Sequence, residues 1–408
     1  MNVPSTPSVQ PSSRSFGGLW AARDLAALGD GILLVALLAW SYHIHESATI
    51  VSILVTARLL PPFLLSFAAT RLAGGKRALP VAVGAQLLTG IALLPLLTVK
   101  SDDALLLVLI VALLAALPSA FLQASHQALL RAMLQGDRLT AAEKAFANTR
   151  LITRIVGPAA GTALYSSAGL MGATIGALAV LVVSLGFLIV AGPRPPKEAP
   201  TLSPEASPAA LQRGLIWALR YPPLRTVALL RLSVALVAGG LAVALVAFTV
   251  WGIFATPEYV GQILAALGMG VAAASAAYRP IRCRYPLSTV MATSLGLAAS
   301  AGFAFSLSQY IGFALSFAAA MGFGFGLLIP SLDSLTAMHS PDKLRSSVTA
   351  GLGMATEAAA LISVIAMGPL VDLLTPRMTI ALVSVILWVP ALYAFGAVAD
   401  RESLPDQV

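Results

Sequence analysis

The sequence has little charge and almost no cysteine, and each shortage excludes whole classes of protein. Asp, Glu, Lys and Arg together make up 10% of the 408 residues, whereas a soluble domain carries about 25%. With 58% apolar residues and a mean hydropathy of +0.88, the chain has too few polar side chains to cover a water-facing surface. A soluble enzyme, a disordered hub and a nucleic-acid-binding protein are therefore excluded. The net charge of +8 comes from too few charged residues to form a phosphate-binding surface.

The residues that usually hold metals and nucleotides are also scarce. Cys283 is the single cysteine, so an intramolecular disulfide and a cluster of thiolate ligands are excluded. His43 and His45 stand beside Glu46, but alternate spacing on a short loop is weak evidence for a metal site. No glycine-rich phosphate loop occurs. We therefore predict no metal, no cofactor, no ATP site and no enzymatic activity.

Long apolar runs fill most of the chain. A helix needs about 20 mostly apolar residues to cross a hydrocarbon layer of about 30 Å, and Pro, Gly and charge clusters divide the sequence into twelve such runs. The sequence thus predicts an all-α membrane protein with twelve transmembrane helices in two six-helix bundles. The predicted segments are a disordered tail at 1–17, the bundles at 18–192 and 224–398, a cytoplasmic linker at 193–223 and a C-terminal tail at 399–408.

The two bundles have the marks of a duplicated unit. Each spans 175 residues by this division, and Asp137-Arg138-Leu139 after the fourth run is echoed by Asp342-Lys343-Leu344 after the tenth, 205 residues later. Two related six-helix halves around a central site are an architecture of secondary transporters. We therefore expect the halves to be pseudo-symmetric.

The basic residues predict the orientation in the membrane. Of the 25 Lys and Arg residues, nineteen fall on the side of the N-terminus, two fall on the opposite side and four lie within spans. Because cytoplasmic loops carry the excess of Lys and Arg, we expect a multi-pass protein of the plasma (inner) membrane with both termini and the linker in the cytoplasm.

Ionisable side chains inside the spans are the candidate functional residues, because each costs several kcal/mol unless it is paired or hydrated. Asp30 and Arg58 lie at similar depth in the first and second spans, and Glu357 lies near the middle of the eleventh. An Asp30–Arg58 pair either locks two helices permanently or lets Asp30 take and release a proton while Arg58 tunes that equilibrium. Arg154 in the fifth span either contacts the cavity or extends toward the cytoplasmic surface.

Other charged residues lie near the cytoplasmic ends of the spans. Asp24 and Asp333 occupy such positions in the first and tenth spans, where gating or loop-anchoring pairs are the plainer interpretation. In the fifth span, Gly157, Pro158 and Gly161 form a small-residue element of the kind that lets helix backbones approach closely.

The plan of six spans, linker and six spans resembles the major facilitator superfamily over residues 19–399. Leu19-Trp20, Gly29-Asp30-Gly31 and Val35-Ala36-Leu37 resemble the first helix of its bacterial branch of macrolide-efflux and enterobactin-exporter proteins. Asp137-Arg138-Leu139-Thr140, Ala147-Asn148 and Gly157-Pro158 resemble the following loop and fifth helix of that branch, and the Gly-Pro element is similar to the core of an antiporter motif.

The sequence departs from that family in two places. The loop after the second span keeps Leu72-Ala73 and the basic residues Arg71, Lys76 and Arg77, but has Gly74 where the family has an acid. The fourth span has Phe121-Leu122-Gln123 without the family's buried arginine before the glutamine. These departures put the family's gating loop and its proton-coupling scheme in question for this chain.

The resemblance implies a secondary transporter, expected to be a monomer, that exports small amphipathic molecules such as drugs, macrolides or siderophores in exchange for protons by alternating access. Two alternatives stay open: uptake of a nutrient or metabolite, and a non-transporting scaffold or sensor with this fold. The expected partners are a small-molecule substrate, protons and the lipid bilayer, with no nucleic acid.

Overall fold

The chain folds entirely into helices over the residues that the computed structural model describes. Within the described part, each regular element is an α-helix or a short 3-10 or π-helical turn, and this is the all-α architecture that the apolar runs predict. The described residues are 13–73, 77–99, 104–134, 136–191, 208–253, 256, 259–341 and 344–402.

In the described part of the chain, five helices lie before the predicted linker, one lies within it, and seven begin at or after its end. The first group is α1 Ser13–His45, α2 Ala48–Leu72, α3 Ala78–Leu93 with a 3-10 turn at Leu94–Thr98, α4 Leu105–Met133 and α5 Gly136–Ala191. The second group is α6 Pro208–Arg220, α7 Pro222–Ala238, α8 Leu241–Ala247 with a π-helical turn at Phe248–Gly252, α9 Tyr259–Arg284, α10 Leu287–Leu307, α11 Ile311–His339, α12 Arg345–Leu374 and α13 Pro376–Glu402.

Helix α5 contains two antiparallel membrane spans. Its helical geometry is interrupted at Ala168 (φ −143°, ψ 18°) and Gly169 (φ 63°, ψ −160°). In a straight helix Leu164 and Gly176 would lie about 18 Å apart, but a Cβ placed on Gly176 would collide with the Leu164 side chain, so the chain reverses at this point. We call the two parts the first arm, residues 136–167, and the second arm, residues 170–191.

The helices are long and apolar enough to cross a membrane. Eleven candidate spans meet the length and hydropathy requirement among the described residues, and one of them, Ile155–Val190, runs through the reversal in α5 and so represents two crossings. The surface also has the character of a membrane protein, because large apolar side chains such as Leu64, Val190 and Leu373 are largely exposed. A soluble monomer exposes apolar side chains only in small patches. The fold is therefore a twelve-span membrane fold.

The predicted linker and tails contain more helix than the sequence indicates. Helix α6 lies within the stretch predicted as a polar linker, where its backbone at Leu211 and Leu215 packs against Gly351 of α12. Helix α1 begins at Ser13 and α13 continues to Glu402, past the limits expected from the apolar runs. Polar residues can extend a helix beyond the hydrocarbon layer, so hydropathy alone places helix ends poorly.

The closest helix packing in the first half joins α1 to α5. Gly31 faces Gly157, and a Cβ on Gly161 would lie 2.5 Å from the backbone oxygen of Ile32. Small residues at such positions let two backbones pack at short distance. The small-residue element therefore lies against α1 in the structure.

Substitution of Gly161 tests this packing. We expect Gly161→Ala to destabilise the protein by about 1–3 kcal/mol, because the added methyl group meets backbone that cannot rotate away. Thermal unfolding in detergent would measure the change. Gly84→Ala is the matched control, since a Cβ there meets nothing within 4 Å and alanine is the better helix former. Equal unfolding temperatures for the two variants would contradict the α1–α5 contact.

Candidate functional site

The two halves of the molecule meet at one end of the bundle. At that end α2 begins and α12 finishes, and Asp372 of α12 bonds to the first residues of α2. Gly368 of α12 packs against Ser52, and Gly261 of α9 packs against Pro158 of the first arm. We call this the Asp372 end, and the opposite end, where α6 packs on the start of α12, the α6 end.

A mostly apolar cavity lies in the second half. Its volume is about 410 Å³, within the range of small-molecule sites, and Arg231 and Thr356 are the residues with polar side chains in its wall. The wall is formed by Arg231, Val234, Ala235, Ala238, Gly239, Leu241, Ala242, Leu245, Leu264, Leu267, Phe325, Leu328, Ile329, Leu332 and Thr356.

A broken helix forms part of this wall. Helices α7 and α8 are separated by Gly239 and Gly240, and both glycines press against α12, where a Cβ on Gly239 would lie 2.6 Å from the Cα of Ala360. The amide of Gly240 donates to the Ser363 hydroxyl at 2.8 Å. The hydroxyl therefore binds a backbone group that the break leaves available. Discontinuous helices of this kind form substrate and ion sites in transporters.

The structure brings Asp30 and Arg58 together. The Nη2 atom of Arg58 contacts Oδ1 of Asp30 as a salt bridge, with the Arg58 side chain 11% exposed and the Asp30 side chain 66% exposed. Asp30 is close to the middle of α1, and a charged group at that depth is costly in lipid. Its exposure therefore indicates a wet cleft between the helices.

A second ion pair has the same arrangement in the other half. Nη1 of Arg231 in α7 lies 2.6 Å from Oδ1 of Asp333 in α11, and the side chains are 18% and 53% exposed respectively. Arg231 also borders the apolar cavity. In both pairs the guanidinium is covered by protein and the carboxylate faces open space.

Glu357 lies beside the cavity wall. It is an exposed residue of α12, next to Thr356, whose side chain borders the cavity. Its predicted role in proton coupling stays a prediction.

The remaining candidate residues lie elsewhere or outside the described part. Asp24 is half-buried near the start of α1, and Arg71 and Arg77 are exposed where α2 ends and α3 begins. Lys76 lies outside the described residues, and the same holds for the side chain of Arg154. Their gating and cavity roles stay predictions.

Two features of the site were missed by the sequence reasoning. The Gly239-Gly240 pair was a visible signal, because adjacent glycines in the middle of an apolar run are a frequent cause of helix breaks. Asp372 gave a weaker signal, since an acid at the end of a span is ordinary in isolation. Its importance depends on the α2 terminus, which is distant in sequence.

The overall fold is that of major facilitator transporters of known structure. A POT family transporter solved with 5-aminolevulinic acid matches with a TM-score of 0.73 and 12% identity, over 95% of this chain and 97% of that one. The nucleoside transporter NupG matches with a TM-score of 0.72 and 15% identity, over 94% and 99%. A bacterial homologue of the human lysosomal transporter Spinster, in an inward-facing conformation, matches with a TM-score of 0.69 and 15% identity, over 97% and 98%.

Comparison of the sequence itself with known families and proteins gives no match. No family model matches the chain, and no curated protein matches it in sequence. At identities this low the structural matches establish the fold alone.

The Asp30–Arg58 contact can be measured by a double-mutant cycle. We expect Asp30→Asn and Arg58→Met to be less costly together than the sum of the single changes, with a coupling energy of about 1–2 kcal/mol. This is below the cost of breaking a fully buried pair because Asp30 is largely exposed. Unfolding in detergent measures the four proteins, and Arg71→Gln, on an exposed surface, should change stability by less than about 0.5 kcal/mol. Additive single changes would contradict the pairing.

Proposed function

We propose that this protein is a secondary active transporter that exports small amphipathic molecules in exchange for protons by alternating access. The observation that carries the proposal is an apolar cavity of about 410 Å³ bordered by a broken helix and an ion pair, inside a fold shared with the POT, NupG and Spinster-like transporters. A mostly apolar wall favours an apolar substrate body, and Arg231 with Asp333 provides a polar group at its edge.

The orientation favours binding from the cytoplasm. By the distribution of Lys and Arg along the sequence, the α6 end lies in the cytoplasm. The contacts at the Asp372 end close the opposite side, while Asp30 and Asp333 are exposed. In the proposed cycle a substrate enters the cavity from the cytoplasmic side, which is the first step of export.

Asp30 and Glu357 are the proposed proton carriers. An exporter that releases substrate against its gradient needs a group that binds a proton on one side and releases it on the other, and a carboxylate in a wet cleft can do so. Arg58, the partner of Asp30 in the ion pair, would hold that carboxylate in position. Gly157 and Pro158, at the contact of the first arm with α1 and α9, would carry the relative motion of the helices.

Uptake is the alternative direction, and the nucleoside transporter among the structural matches keeps it open. Uptake of a polar nutrient would require hydrogen-bonding side chains around the substrate, whereas this cavity offers Arg231 and Thr356 in a wall of otherwise apolar side chains. The wall composition therefore favours the amphipathic substrate. A scaffold or sensor would show no flux in either direction.

Reconstitution in liposomes tests the coupling. We expect a pH gradient to drive accumulation of substrates chosen from a panel of dyes, antibiotics and siderophores, and a protonophore to abolish it. Asp30→Asn and Glu357→Gln should each lower accumulation driven by the pH gradient at least tenfold, because a neutral amide cannot carry the proton. Exchange of substrate down its own concentration gradient should stay unchanged. Glu46→Gln, an acid at the Asp372 end outside the cavity, is the control. Transport that survives the protonophore and both substitutions would overturn the coupling, and absence of any flux would overturn the transporter.

The two ion pairs also predict the charge of the substrate. A carboxylate has about four acceptor positions, so a cation can bind the exposed side of Asp333 without breaking its bond to Arg231. An anion would have to displace Asp333 to reach the covered guanidinium, which leaves a carboxylate without its partner. The geometry therefore favours cationic amphiphiles.

Two ions of nearly identical shape test this preference. We expect tetraphenylphosphonium to bind the purified protein at least tenfold more tightly than tetraphenylborate, with specific binding defined as the part lost in the cavity-filling variant Ala235→Trp. Asp333→Asn should reduce the difference because it removes the attracting charge. Calorimetry on the six pairs, the unmodified protein and the two variants each with both ions, gives the affinities. Equal or reversed affinities would contradict the charge preference and leave the transporter proposal to the flux assay.

A further inference from the structure

Asp372 supplies the N-terminal cap of a helix in the other half of the molecule. Its Oδ1 accepts a hydrogen bond from the amide of Ala48 at 2.8 Å, and its Oδ2 accepts one from the amide of Thr49 at 3.0 Å. The hydroxyls of Ser47 and Thr49 also donate to Oδ2, at 2.9 and 2.6 Å. One carboxylate at the end of α12 thus binds four donors at the start of α2.

Two of these donors, the amides of Ala48 and Thr49, are groups that a helix start leaves without partners. The first amides of an α-helix have no acceptor within the helix, and the aligned peptide dipoles make that end positive. A carboxylate is therefore a strong ligand for it, and its hydrogen bonds are charge-assisted. Because α2 and α12 belong to different halves, the bonds between them hold the halves together at this end.

The residue that would normally cap α2 is turned away from it. Ser47 occupies the N-cap position with extended backbone angles (φ −124°, ψ 124°), yet it makes no side-chain cap hydrogen bond to α2. Serine is among the preferred N-cap residues, and its hydroxyl is used here on Asp372. A second cap, which as an N-cap side chain can bind the amide of Thr49, is therefore present and unused in this conformation.

The surrounding chain holds Asp372 at this contact. One turn earlier, a Cβ on Gly368 would lie 2.6 Å from the Cβ of Ser52, so the absence of a side chain lets α12 approach α2 closely. Just beyond, Thr375 has a positive φ of 79°, which is unfavourable for a β-branched residue and turns the chain sharply into α13. The close approach and the corner fix the position of the carboxylate.

We propose that Asp372 is a latch that keeps the Asp372 end closed, and that Ser47 takes over the cap of α2 when that end opens. In the closed state the cap comes from α12, and in the open state it comes from Ser47 itself. The exchange lowers the cost of opening because the amide of Thr49 is bonded in both states. The latch is independent of which substrate the cavity binds.

The state of the Asp372 end can be measured directly by the distance between the halves. Spin labels at Thr98, after α3, and at Gln309, before α11, lie at this end on opposite halves, and both positions are exposed. Cys283, the single cysteine, is exposed and would first be replaced by serine. Pulsed electron paramagnetic resonance on the full chain in lipid nanodiscs, without substrate, then gives the distribution of distances between the labels and so the closed and open populations.

We expect Asp372→Asn to raise the ratio of open to closed molecules about tenfold, because the amide keeps the shape but loses the charge. Ser47→Asp should also raise it, by a similar factor, since an acid at the N-cap position competes for the amide of Thr49 and repels Asp372. Thr49→Val, which removes one hydroxyl donor, should raise it about threefold and serves if Asp372→Asn does not fold.

Glu46→Gln is the matched control at the same end. It removes one negative charge next to the start of α2 but lies on the same half as α2, so the ratio should stay as in the unmodified chain. Unchanged distances in Asp372→Asn, Ser47→Asp and Thr49→Val would overturn the latch. An equal shift in Glu46→Gln would also overturn it, because the effect would then be one of general charge. Since no substrate is present, either result leaves the transport proposal to its own assay.

Discussion

The cost of placing charge in a hydrocarbon layer is the constraint on which the rest of this structure depends. A chain with 10% charged residues keeps only a few charges at mid-depth, and such groups must be paired or hydrated. The structure shows both solutions at once. Arg58 and Arg231 are covered and paired, while their partners Asp30 and Asp333 face open space. Water must therefore reach Asp30, the carboxylate at mid-depth, whereas Asp333 lies near the α6 end of α11.

Hydropathy was sufficient to predict the class of fold and most of the spans. The reversal at Ala168 and Gly169 falls between two spans that the sequence separates, because a glycine ends one apolar run there. Helix α6 was missed because its residues are too polar to count as a span, although packing against α12 through Gly214 and Gly351 stabilises it. Local pattern thus predicts what the bilayer selects, and tertiary packing determines the remainder.

The candidate site was predictable only where both partners lay at matching depth on neighbouring helices. Asp30 and Arg58 met that condition, since α1 and α2 are joined by a short turn. Arg231 and Asp333 lie 102 residues apart, and depth alone could not pair them. The contacts of Asp372 depend on a helix start more than 320 residues away, so the relative position of the two halves had to be known first.

The two ends of the bundle are held by different chemistry. At the α6 end, the loop after α2 has Gly74 where the family that the sequence resembles has an acid. That position of the sequence therefore offers no carboxylate to bind a helix start. At the Asp372 end, a carboxylate does bind a helix start, that of α2. A helix terminus offers several amides to one acid, and this gives a strong bond that can be broken in one step. The proposed latch therefore has no counterpart at position 74 of the sequence, and the strength of its own four hydrogen bonds would determine how readily the Asp372 end opens.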